Sequence, residues 1–384
     1  MRWSPKLKRR AVWIMTTVLV LALGAFLFAA SGLYSVAASR GHFAITALLL
    51  EFAMRRSVAT HSLLVTEPDL RDPDLIRLGA GHFHGGCAPC HGAPGEPRNS
   101  IARGMLPEPP DLAASVPTWS TSELFWIVKN GLKYTGMPAW PAQKRDDEVW
   151  AVIAFIRQLP GMGEAAYRTL ALGNAEPVQR DARELVQIGS RADAISTCAR
   201  CHDDEDAAPT SRFTPALAEQ SARFLAEALR AYANGSRPSG IMQPIAARLR
   251  ADDIDAVAAY YAGFPRRPGQ PAPPELMDQV ARGRTIATSG VPRGGIPPCL
   301  ACHSAAAAAA FPRLAGQPAG YVGQQLRLFR DGVRTGTAQA DIMAVIAKRL
   351  DDAQIADVAL YFAHLAPDTP SAAQHDATTG EASR

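Results

Sequence analysis

Three strings of the form Cys-x-x-Cys-His hold all six cysteines of this 384-residue chain: Cys87, Cys90 and His91; Cys198, Cys201 and His202; Cys299, Cys302 and His303. None is left over for a structural disulfide. Two thiols two residues apart, followed by an imidazole, suit three chemistries. Zinc closes a tetrahedron with four ligands, whereas each string offers three, with no further Cys or His at suitable spacing. A thiol redox pair sits after a strand in a βαβ unit and has no use for the trailing histidine. Covalent haem attachment uses every member: the thiols bond the vinyl groups and the histidine takes the proximal iron position. The strings are therefore read as sites for three covalently bound haem c groups, with zinc and thiol redox as the alternatives.

Methionine is the common sixth ligand when such an iron transfers electrons. Met137 in "YTGMPAW" follows His91 by 46 residues, Met242 in "SGIMQP" follows His202 by 40, and Met343 in "ADIMAV" follows His303 by 40. Each is expected in a loop ahead of its unit's last helix, although Met343 lacks the following proline. Met105, Met162 and Met277 fit no such register and are read as packing residues. His82 and His84, just before Cys87, are spare imidazoles, read first as surface residues of a leading helix. Iron held between His and Met has no vacant position, so the expected activity is one-electron transfer without bond making, and no residue is assigned as catalytic. The competing class is a multihaem peroxidase or reductase with an open haem site.

These residues need helices to place them. "PDLIRLGAGHFHGGC" predicts a helix delivering Cys87, and "STSELFWIVKNGLKYTGMP" a helix capped by Ser120 or Thr121 and ending before the methionine turn. "RDDEVWAVIAFIRQLP" has acidic residues in its first turn and a proline at its end, as a final helix should. The predicted fold class is all-α: an N-terminal transmembrane helix followed by three haem domains in tandem.

Lys6, Lys8, Arg9 and Arg10 precede an uncharged stretch over residues 11–34. It is long enough to cross the hydrocarbon core, and the basic residues 1–10 would keep the N-terminus cytoplasmic. Cleavage as a signal peptide near "SVAAS" is the alternative. Either way the haem strings lie outside the cytoplasm, which in a bacterium is the periplasm. Residues 42–58 are too short for a second span and are read as an interfacial amphipathic segment, with Arg55 and Arg56 toward lipid head groups. An ordinary helix packed on the first haem unit is the competing reading. A net charge of +4 over this length argues against nucleic acid as a partner.

Residues 67–172 form the first unit. Units at 177–265 and 275–366 are duplicates: Cys198 and Cys299, Met242 and Met343, Ile254 and Ile355, and Tyr260 and Tyr361 all stand 101 residues apart. "TPALAEQ" and "FPRLAGQ" align at an offset of 97. "LALGNAEP" and the proline-rich "FPRRPGQPAPPE" read as linkers, and residues 367–384 as a disordered tail. "DDED" after His202 is either a docking patch for a basic partner or a solvated loop.

Across residues 67–366 the chain resembles class I c-type cytochromes. Units two and three are similar to the halves of the dihaem cytochrome c4 family, most clearly in "CLACHSAAAAAAFPRLAGQPAGYVGQQLRLFRDGVR". "PALAEQ" makes unit two the weaker match. The resemblance implies that Pro215 and Leu217 line one haem and Pro312 and Leu314 another, with Tyr260 and Tyr361 on the final helices. Unit one resembles single-haem domains of respiratory oxidases through "GCAPCHG" and "GMPAW". The whole implies a membrane-anchored tri-haem protein relaying electrons in a respiratory chain, within a membrane complex. The N-terminal anchor favours a terminal haem-copper oxidase as partner, and the alternative is the cytochrome subunit of a membrane-bound dehydrogenase.

Overall fold

Ser4 opens the first helix, α1 (Pro5–Ala30), by accepting a hydrogen bond from the Leu7 amide, with Pro5 in the first turn where its missing N–H costs nothing. The computed structural model describes residues 4–37, 39–173, 195, 197–202, 208–218, 220–264, 271–304 and 309–366. The "DDED" stretch, the tail after residue 366, and half of each linker lie outside the described residues. α1 begins earlier than the expected span at 11–34 because Ser4 and Pro5 start it within the basic segment, and it ends at Ala30. Its mean hydropathy is 2.4 over the most apolar window and none of that window is buried, which makes it long and apolar enough to cross a membrane.

α2 spans Ala44–His61. Over its first three turns only Glu51 is charged, and Ile45, Leu48, Leu49 and Phe52, at i, i+3, i+4 and i+7, are exposed along one face. Its C-terminal end belongs to unit one: Val58 is fully buried, His61 meets the Trp126 ring, and the Arg55 guanidinium lies over Trp119.

Unit one is built from α3 (Pro73–Gly86), the haem-string turn α4 (Ala88–His91), two short turns α5 (Ser100–Arg103) and α6 (Leu112–Ser115), α7 (Thr121–Asn130), α8 (Asp146–Ile156) and α9 (Glu164–Leu172). α7 starts with a capping box between Ser120 and Glu123 and stops at Gly131, whose φ of 65° turns the chain toward Met137. α3 crosses α8 at Gly79, where a Cβ would lie 1.9 Å from the Ala151 carbonyl oxygen. Around that crossing Phe83, Phe155 and Tyr167 form the buried aromatic centre, with Phe125 stacked on Trp150 beside it. The sequence reading did not foresee α9, which closes this core by inserting Tyr167.

Unit two contributes α10 (Ala222–Ala233), α11 (Met242–Ala246) and α12 (Ala251–Ala262). Unit three contributes α13 (Met277–Ser289), the haem-string turn α14 (Leu300–His303), α15 (Ala319–Arg330), α16 (Ala338–Ala347) and α17 (Asp352–His364). α13 crosses α17 at Gly283, where a Cβ would lie 2.0 Å from the Asp357 carbonyl oxygen, and Arg282 pairs with the buried Asp357 carboxylate beside it. The same crossing covers Tyr361, 7% exposed, whereas Tyr260 at the equivalent place on α12 is 38% exposed. Regular structure among the described residues is helical throughout, with two isolated bridges and no strand.

Candidate functional site

Each Cys-x-x-Cys-His string forms one helical turn, with the histidine amide donating to the first cysteine's carbonyl at 3.0 Å in all three. A turn of this kind puts both thiols and the imidazole on neighbouring positions of one short surface. Nδ1 of His91 lies 2.9 Å from the Pro110 carbonyl oxygen, Nδ1 of His202 2.9 Å from that of Pro215, and Nδ1 of His303 2.8 Å from that of Pro312. A carbonyl only accepts, so the proton sits on Nδ1 and the Nε2 lone pair is turned outward to bind a metal. Burial holds His91 and His303 below the usual histidine range, which keeps both imidazoles neutral, as a ligand must be.

The first thiol of each string is held in its protonated form by burial. Burial pushes Cys87 up to about 12 and Cys198 and Cys299 up to about 11, the reverse of the lowered values that make a thiolate nucleophile. Among the described residues no group of three or more His, Cys, Asp or Glu side chains is arranged to hold a metal ion, as zinc would need.

A cavity of about 360 Å³ joins units two and three. Cys198, Cys201, His202, Pro215, Leu217 and Met242 line it from one unit, and His303, Pro312, Leu314 and Met343 from the other. The four residues named by resemblance thus reach one space together with both methionines. Cys299 and Cys302 are not on this lining, and neither are Cys87, Cys90, His91 and Met137, which belong to unit one. Among the arginines of the wall, Arg237 lies over the Tyr232 ring and donates to the Tyr321 hydroxyl, and Arg334 lies over Phe329. Burial, followed by the like charge of Arg237, brings Arg334 down to about 10.

Several placements differ from expectation. Met343 lies inside α16 rather than in a loop, because Thr337 caps a new helix and an alanine, where the other two turns have Pro or Gln-Pro, lets it continue. Met242 starts α11 rather than ending a loop. Met277 is 56% exposed and so is no packing residue, while Met162 packs on the unit-one core. Met105 reaches the Met137 turn, its Cε 1.9 Å from where a Cβ on Gly136 would stand. His82 is no surface residue: its ring meets the edge of Trp140 at 4.9 Å and lines the cavity of unit two. His84 is partly buried with Nδ1 2.8 Å from the Tyr167 hydroxyl. Pro110 was missed as a histidine acceptor, yet "PDL" at 110–112 repeats the Pro-x-Leu spacing of 215–217 and 312–314.

Similarity to known proteins gives the family. The family model for cytochrome c oxidase, cbb3-type, subunit III matches residues 74–156 and 190–260, and that for cytochrome c matches residues 280–366. A thiosulfate dehydrogenase electron acceptor of Stutzerimonas stutzeri is 36% identical over 197 residues, 48% of this chain and 86% of that protein. The chain is a c-type cytochrome. Cytochrome c4 of Pseudomonas aeruginosa is 35% identical over 170 residues, 43% of this chain and 82% of its own, which marks a c4-like dihaem module. A solved cytochrome c4 from Acidithiobacillus ferrooxidans is 34% identical, covers 44% of this chain and 98% of its own, and superposes with a TM-score of 0.40. This cytochrome therefore transfers electrons and carries covalently bound haem c. The neutral, outward Nε2 atoms and the shared apolar cavity fit that group.

Proposed function

We propose that this cytochrome is a membrane-anchored tri-haem relay, carrying single electrons from a periplasmic oxidoreductase of the thiosulfate dehydrogenase kind toward a membrane-bound haem-copper oxidase. In this reading Cys87 and Cys90, Cys198 and Cys201, and Cys299 and Cys302 attach three haem groups. His91 and Met137, His202 and Met242, and His303 and Met343 hold the irons. When bound, the group supplies a reversible one-electron change at iron. Pro110, Pro215 and Pro312 orient the histidines, Pro215, Leu217, Pro312 and Leu314 would exclude water from the bound group, and Arg237 and Arg334 would supply positive charge to its anionic side groups.

One observation carries the relay: a single cavity lined by the histidines and methionines of units two and three, with unit one contributing to the same wall. The name of the Stutzerimonas relative supports the donor, and the oxidase-subunit family match over units one and two supports the acceptor. The test is flash photoreduction of the full-length protein, following spread of the electron through the Soret bands. Equilibration at a rate independent of protein concentration is expected. A rate proportional to concentration would mean that the units exchange electrons only between molecules.

A further inference from the structure

The turn carrying Met242 is held by unit one as much as by its own unit. The Ser239 hydroxyl donates to Glu148 Oε1 at 2.6 Å, and the Gly240 amide donates to Glu148 Oε2 at 2.5 Å. Trp140, three residues beyond Met137, donates its indole N–H to the same Oε2 at 3.3 Å. Arg145 pairs with Glu148 at 2.9 Å and donates to the Pro238 carbonyl at 3.0 Å. Ser239 Oγ accepts in turn from the Met242 amide at 2.9 Å. The packing leaves no slack, since a Cβ on Gly240 would stand 2.1 Å from Trp140 Nε1.

The same unit presses on the other side of the site. A Cβ on Gly81 of α3 would lie 3.1 Å from Cys201 Sγ. Cys90 and Cys302, the second cysteines of the outer strings, are exposed, but Cys201 is not. Glu148 is 3% exposed, and a carboxylate so deeply placed is tolerated only with its hydrogen bonds filled. Methionine has three rotatable bonds, so the position of its sulfur depends on how firmly its backbone is held.

We propose that unit one completes the second haem site, with Glu148 as the positioning residue for the Met242 turn, and that this makes the second site the internal one of the three. The inference rests on Met242 as an iron ligand. Its test uses the purified full-length protein, read by the weak near-infrared band that reports sulfur bound to ferric iron and by a redox titration. Glu148→Ala is expected to remove about one third of the band and to lower one of three potentials, since methionine ligation raises potential. Glu148→Gln, which keeps the shape and one acceptor, should retain most of the band. Gly240→Ala, driven against Trp140, should reproduce the loss should Glu148→Ala fold poorly. Met242→Ala separates the two claims. If it loses its third of the band while Glu148→Ala and Gly240→Ala keep theirs with unchanged potentials, the positioning role is overturned alone. An intact band in Met242→Ala would overturn the ligand assignment and this inference with it.

Discussion

Gln220 and Gln317, equivalent residues of the two duplicated units, each grip the other unit's backbone. Gln220 donates to the Arg313 carbonyl at 2.8 Å and accepts from the Arg313 amide at 3.0 Å; Gln317 donates to the Ala216 carbonyl at 2.8 Å and accepts from the Ala216 amide at 3.1 Å. Ala216 and Arg313 stand at the same offset of 97 as the glutamines, so the contact is a local two-fold. It joins the segments whose prolines, Pro215 and Pro312, accept from the two histidines. Replacing either glutamine with alanine removes two hydrogen bonds and orphans their partners. Denaturant unfolding should show a loss of about 2–3 kcal/mol, similar for both positions.

At the helix crossings, Gly79→Ala and Gly283→Ala should each destabilise the protein by about 1–3 kcal/mol or more, because the new methyl meets a backbone carbonyl that cannot move aside. Gly323→Ala on α15 is the control. Its Cβ would meet side-chain atoms at 3.4 Å and beyond, and the gain in helix propensity should stabilise by about 0.5–1 kcal/mol. Thermal melts of the three variants would separate crowding from propensity.

Acid should destabilise the fold through His82. Burial lowers its folded value to about 4 from an ordinary 6.5, so below pH 6.5 the unfolded chain takes up a proton that the folded chain refuses. Stability from the neutral ring is present above that value and is lost as pH falls from 6.5 through about 4, by at most roughly 3 kcal/mol. His82→Asn should flatten the fall in unfolding free energy between pH 7 and pH 4.5. A slope equal to that of the wild type would show that other groups cause it.

If α1 anchors the protein, the mature chain retains Pro5–Ala30 and stays in the membrane fraction through an alkaline wash. Intact mass and fractionation check this together. A soluble product beginning near Ser39 would show removal as a signal peptide.

Local pattern carried much of this molecule. The Cys-x-x-Cys-His strings and the Ser120 cap are each written within a few residues, where spacing maps onto helical turns, and the methionine register and the 101-residue duplication are found by counting along the chain. Less was legible where separate units meet. Nothing around Glu148 marks it as the partner of Ser239, 91 residues away, because its role arises only when α8 packs beside the Met242 turn. His82 was misread for the same reason: the Trp140 ring that meets it and the cavity it lines come from distant parts of the sequence. Met343 failed differently. It stands 101 residues after Met242, but the alanine after it let a helix form where a turn was expected. Pro110 was legible and overlooked, since the Pro-x-Leu spacing occurs in all three units.

The central claim is three covalent haem groups on one chain, each iron held between His and Met. Pyridine haemochrome quantitation of the purified full-length protein, with the near-infrared spectrum of its oxidised form and carbon monoxide added to its reduced form, tests this most directly. The account predicts three haem c per chain, a sulfur-ligation band of three-haem amplitude and no carbon monoxide complex. Fewer than three haems, a missing share of the band, or carbon monoxide binding at any centre would contradict it and bring forward an enzyme with an open site.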